Sequence, residues 1–111
     1  MNTMSIEINQ ANSCIEVLVS GEIDVYTAPR LKEVVYPHAR QDQVEMVINL
    51  SGVSFMDSTG LGVLVGLFKA VKSHNGKFKI IGLSNRLKRL FDITGLAEII
   101  QISSIAKDEE K

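Results

Sequence analysis

Asp57-Ser58-Thr59 sets one carboxylate and two hydroxyls just ahead of the apolar run 61–68. At the start of a helix, Asp, Ser and Thr oxygens accept hydrogen bonds from the first backbone N–H groups, which have no partner within the helix. A cap is the plain structural reading of the triplet. The same place is the positive end of the helix dipole, where free N–H groups stabilise a phosphate. A phosphate on a hydroxyl there adds about −1.5 to −2 charges without unfolding the domain. The residues alone leave both readings open: a structural cap and a modifiable hydroxyl.

Other chemistries fare worse on the same residues. Ser58 as a hydrolytic nucleophile needs a positioned base, but no Gly-x-Ser-x-Gly elbow surrounds it, and His38 and His74 fall in no recognisable motif. His38 is assigned to a helix end and His74 to a solvated turn. A receiver-type acidic pocket is conceivable, with Asp57 as phosphoacceptor and Glu22 and Asp24 holding Mg²⁺ through hard oxygens. Against it, Glu22 and Asp24 follow the second strand of an apparent antiparallel pair, and Asp57 lies seven residues beyond Leu50, where a strand is expected to end. Gly60, Gly62 and Gly66 miss the dinucleotide fingerprint by one residue, and no acidic residue ends the following strand. No Gly-Lys-Ser/Thr occurs, which removes the Walker loop. The single cysteine, Cys14, and two histidines give no zinc spacing and no intramolecular disulfide.

The helix behind the triplet is apolar on one broad face and nearly bare on the other. At about 100° per residue, Leu61, Leu64, Val65, Leu67, Phe68 and Val71 gather as core. The opposite side carries Thr59, Gly62, Gly66, Lys69 and Ser73. Each interior glycine costs a helix about 1 kcal/mol against alanine, so a gain elsewhere must offset Gly62 and Gly66. Glycines four apart leave a smooth groove that another backbone can approach closely. The functional reading is a docking face for a partner; the structural one is that another element of the same chain covers it.

The elements that position these residues follow from periodicity. Alternation at 4–8 and at Ile15, Val17 and Val19 predicts an antiparallel pair. Thr27-Ala28-Pro29 is an N-cap and first turn, with Leu31, Val34, Val35 and Ala39 at helical spacing. Pro37 predicts an end near Tyr36 or a bend before Arg40. Met46-Val47-Ile48-Asn49-Leu50 reads as a strand buried on both faces, with 51–57 as the connection to the second helix. A strand at Lys77–Ile81, a helix over 84–93 stopped by Gly95, and a last strand near 99–102 complete the pattern. The order β-β-α-β-α-β-α-β specifies an α/β domain with a mixed sheet of four to five strands and helices mainly on one face. A single domain is expected over 1–106, and the charged residues 107–111 are expected to fray.

Twelve Lys and Arg against thirteen Asp and Glu leave a net charge of −1 over 111 residues, without the basic excess that draws a protein to nucleic acid or an anionic bilayer. No apolar run approaches the roughly 20 residues of a membrane helix, and the start Met1-Asn2-Thr3 lacks the regions of a signal peptide. A cytoplasmic chain, binding neither nucleic acid nor membrane, is expected.

Asp57-Ser58-Thr59-Gly60-Leu61-Gly62, with Gly21-Glu22-Ile23-Asp24 and Arg89-Leu90-Phe91-Asp92-Ile93-Thr94-Gly95-Leu96, closely resembles the STAS-domain anti-sigma-factor antagonists of Gram-positive bacteria, in particular those of the general-stress sigma-B pathway. The resemblance covers nearly the whole chain and implies the STAS fold and partner switching. The unphosphorylated domain would bind an anti-sigma factor that is also a GHKL-type serine kinase, freeing the sigma factor. The kinase would then phosphorylate the antagonist and release it, and a PP2C-type phosphatase would restore it. The acceptor so implied is Ser58, ahead of Thr59. Asp24, Asp57, Thr59, Gly60 and Gly62 match positions at or beside the family's binding surface, and the helical wheel adds Gly66 and Lys69. No catalytic residue, metal or cofactor is implied. The alternatives are a scaffold-type STAS protein of a signalling assembly and the receiver-like use of Asp57.

Overall fold

The polar break at Asn12-Ser13 folds the chain back on itself. In the computed structural model, which describes residues 4–103, β1 (Met4–Ala11) pairs antiparallel with β2 (Cys14–Ile23), from Met4↔Gly21 to Ala11↔Cys14. From β2 onward every strand is reached through a helix: α1 (Ala28–Ala39), β3 (Glu45–Met56), α2 (Ser58–Ser73), β4 (Lys77–Ile81), α3 (Asn85–Thr94), a single 3-10 turn at Leu96–Glu98, and β5 (Gln101–Ser103). The sheet has five strands in the order β1-β2-β3-β4-β5, with all pairs after the first parallel.

Each crossover steps one strand in the same direction. Because such crossovers share one hand, the helices must lie on one face. The buried residues agree: Leu31 and Val35 of α1, Leu64 and Leu67 of α2, and Leu87 and Phe91 of α3 form one cluster with Ile15, Val17, Met46, Ile48, Phe78 and Ile80 of the strands. This is the α/β, mixed-sheet architecture the sequence specifies, at the upper strand count. Residues 104–111, including the charged segment 107–111, lie outside the described residues.

Three local expectations are corrected. The third strand does not stop at Leu50 but runs to Met56. Its register against β2 slips twice, between Leu18↔Asn49 and Ser20↔Gly52 and again before Glu22↔Phe55. Each slip places an extra residue on β3, a bulge that breaks the period-two pattern, and the Asn49 carboxamide oxygen accepts from the N–H of Ser51 at 3.0 Å. Ser51 and Gly52 therefore look like a loop while remaining in the strand. Of the two outcomes expected at Pro37, the end near Tyr36 is overturned: the first helix continues through Pro37 to Ala39. In the last turn a proline forgoes only the bond to the Glu33 carbonyl, so the helix neither stops nor needs to break. Thr27 occupies the N-cap position, but its side chain does not cap α1. Its hydroxyl instead donates to the Glu22 carbonyl at 2.8 Å and accepts from the N–H of Asp24 at 2.9 Å. The third helix behaves as read, with the Ser84 hydroxyl accepting from Leu87 N–H and Gly95 closing it at φ 80°.

Gly60 fixes how closely α2 rests on the sheet. A Cβ there would lie 2.7 Å from Ile23 Cγ2 and 2.8 Å from Met56 Cγ. Ile23 is stiff and buried, so the helix itself must give way. Gly60→Ala is expected to destabilise the domain by about 1–3 kcal/mol, measured as a lower urea midpoint at unchanged slope.

Candidate functional site

Strands β2 and β3 end side by side, with Ile23 opposite Met56, and the next residue of each is an aspartate. Asp57 N–H donates to the Ile23 carbonyl at 3.2 Å, which ties the two strand ends together. Asp57 is also the N-cap of α2: its Oδ1 accepts from Thr59 N–H at 2.9 Å and Gly60 N–H at 3.3 Å, and its carbonyl accepts from Leu61 N–H at 3.1 Å. Asp24 works similarly in the β2–α1 connection, where its Oδ1 accepts from Tyr26 N–H at 2.9 Å and Thr27 N–H at 3.1 Å.

Within the triplet the structure assigns the cap to one residue. Asp57 alone does the capping. Ser58 is the first residue of α2 and is exposed, as is Thr59. Neither hydroxyl has a hydrogen-bond partner among the described residues. A side chain at a helix start with no structural task is available for chemistry.

Behind Ser58 lies a groove of about 390 Å³ between α1 and α2, lined by Lys32, Tyr36, Ser58, Thr59, Gly62, Val63 and Gly66. A Cβ on Gly62 or Gly66 would meet no atom within 4 Å, so the described residues leave the glycine strip open. The structure thus brings together Ser58, Thr59, Gly62 and Gly66, with Asp57 anchoring the helix start and Asp24 on the neighbouring strand end. Lys69 is exposed farther along α2 and does not line the groove. Gly60 turns inward and seats the helix.

Several residues at this end escaped the sequence reading. Lys32 and Tyr36 form the far wall, on a helix whose sequence signal is its buried stripe. Val25 and Tyr26 in the β2–α1 connection are 56% and 79% exposed, and Phe55, next to the end of β3, is 44% exposed. Two adjacent apolar residues in a loop, Val25-Tyr26, are the local sequence signal for these exposed side chains.

The competing chemistries do not assemble. His74 caps the opposite end of α2, its ring Nδ1 2.8 Å from the Ala70 carbonyl oxygen. That is about 24 Å along a 16-residue helix from Ser58. His38 is in the last turn of α1. Glu22, Asp24 and Asp57 form no ion-binding trio: among the described residues no three His, Cys, Asp or Glu side chains are placed to hold a metal. No helix among those residues is long and apolar enough to cross a membrane.

Residues 5–110 match the model of the STAS domain. Over 101 residues, the chain is 52% identical to an anti-sigma-B factor antagonist of Bacillus subtilis (strain 168), covering 91% of this chain and 92% of that one. It is 46% identical over 103 residues to the protein of the same description from Listeria monocytogenes, covering 92% and 90%. Among solved structures, an anti-sigma factor antagonist from Mycobacterium paratuberculosis superposes with a TM-score of 0.85 at 26% identity, covering 96% of this chain and 90% of that one.

Since Asp57 holds the helix start and Ser58 does not, Asp57→Ala is expected to cost about 1 kcal/mol and to lower Tm by about 4 °C. Ser58→Ala is expected to leave Tm unchanged. Differential scanning calorimetry of the two variants checks both.

Proposed function

Because this chain belongs to the STAS-domain family of anti-sigma-factor antagonists, we propose that it switches partners through the hydroxyl of Ser58. It is a regulatory binding protein, not an enzyme, and its output is release of a sigma factor from an anti-sigma factor. In the unphosphorylated state the open strip of Gly62 and Gly66, with the exposed apolar residues beside it, receives the anti-sigma factor. That partner is also a serine kinase of the GHKL type: it transfers the γ-phosphoryl group of ATP to Ser58 Oγ, with loss of the hydroxyl proton and release of ADP. A PP2C-type phosphatase hydrolyses the phosphoserine and restores binding. On this reading the exchange takes place in the cytoplasm, and Asp24, Asp57, Thr59 and Lys69 flank the contact.

The observation that carries the reading is the spare, exposed hydroxyl of Ser58 at the mouth of an open backbone-floored groove, while its neighbour Asp57 makes the cap. A phosphate placed there lies where a docked partner must exclude water. To weaken binding a hundredfold it need supply only about 2.7 kcal/mol of differential affinity, within reach of a desolvated dianion that a partner leaves uncompensated.

Incubation with the cognate anti-sigma kinase and ATP, followed by peptide mapping by mass spectrometry, is expected to place one phosphate on Ser58 and to leave Thr59→Ala a full substrate. Modification of Thr59 alone would overturn the assignment. In titration calorimetry Ser58→Ala is expected to bind the kinase with the affinity of the parent chain, and Ser58→Asp roughly a hundredfold more weakly. Gly62→Ala, which meets no atom within 4 Å, is expected to stabilise the domain by up to about 1 kcal/mol. Gly66→Leu is expected to abolish binding while the thermal transition stays cooperative, since its side chain would fill the groove.

A further inference from the structure

Lys32 stands on the α1 wall of the groove that Ser58 opens. Its ammonium lies 5.8 Å from the centroid of the Tyr36 ring, and Arg40 holds the same ring at 5.6 Å. Among the described residues no carboxylate pairs with Lys32. The two aspartates that follow the ends of β2 and β3 are already engaged: Asp57 accepts from Thr59 and Gly60 N–H, and Asp24 accepts from Tyr26 and Thr27 N–H. Lys32 is therefore a cation held only by a ring face, and it is the one charged side chain lining this groove.

We propose that Lys32 is the counter-ion for a phosphate on Ser58, and that their pairing closes the groove. The inference rests on the modification of Ser58 proposed above and adds what the molecule does with the phosphate. Asp57 and Asp24 repel a new anion at Ser58, while the ammonium across the groove attracts it. A full negative charge is a stronger partner for an ammonium than the face of an aromatic ring. The lysine is thus drawn off Tyr36 and bridges the opening above Gly62 and Gly66. The modification then acts twice. It charges the rim, and it lays a side chain across the backbone surface that a partner would otherwise touch.

The test uses the chain with phosphoserine built in at position 58 during translation, so that it needs no kinase. The ³¹P chemical shift, followed through the second ionisation of the phosphate, reports the local cation. Lys32→Gln is expected to raise the titration midpoint by about half a pH unit, the size appropriate to one exposed ion pair. Lys88→Gln removes the same charge from the exposed surface of α3 and is expected to leave the midpoint in place. An unmoved midpoint in Lys32→Gln, or an equal movement in Lys88→Gln, would overturn the pairing. Failure of the parent reading is scored separately, as absence of kinase-dependent phosphate on Ser58 in the unmodified chain.

Discussion

The carboxylate of Asp57 holds this site in its working arrangement. Its Oδ1 satisfies two N–H groups in the first turn of α2, its own N–H closes the gap to the end of β2, and its carbonyl begins the helical ladder. One residue thus joins two strand ends to a helix start. The two hydroxyls that follow it have nothing left to stabilise. A polar group with no structural partner can change its charge without changing the fold, which is the physical requirement of a switch that must leave the domain intact.

The parallel topology determines where such a residue can be placed. Strands β2 and β3 run the same way and end in register at Ile23 and Met56, so their outgoing loops emerge together. Helices α1 and α2 both begin at that end and pack side by side, which brings Lys32 and Tyr36 of one against the glycine strip of the other. The groove is a product of two crossovers stepping in one direction.

Much of this was readable in the sequence, and the failures share a cause. The element order, the strand Lys77–Ile81, the third helix and its Gly95 stop all rest on local patterns, and each appears in the fold. The glycine strip was readable because a helix lacking polar residues on its outer face contradicts the ordinary amphipathic pattern. The end of β3 was hidden because bulges at Leu50-Ser51 and before Phe55 break the alternation on which strand reading depends. The capping duty of Asp57 could not be separated from that of Ser58, since both residue types serve equally well at a helix start. Lys32 and Tyr36 escaped notice because the pairing of two helix faces is decided by crossover geometry, outside any local window.

On the function proposed above, a binding floor made of bare backbone sits on a slope. A Cβ added at Gly62 or Gly66 meets no atom within 4 Å and an alanine there strengthens the helix, so small substitutions in this part of the chain lead toward a sturdier domain. If the strip is the docking floor proposed above, selection for recognition is what holds the two positions empty. A lineage that lost its partner would fill them first, and the presence of side chains there in a descendant would record that loss before the fold itself changed.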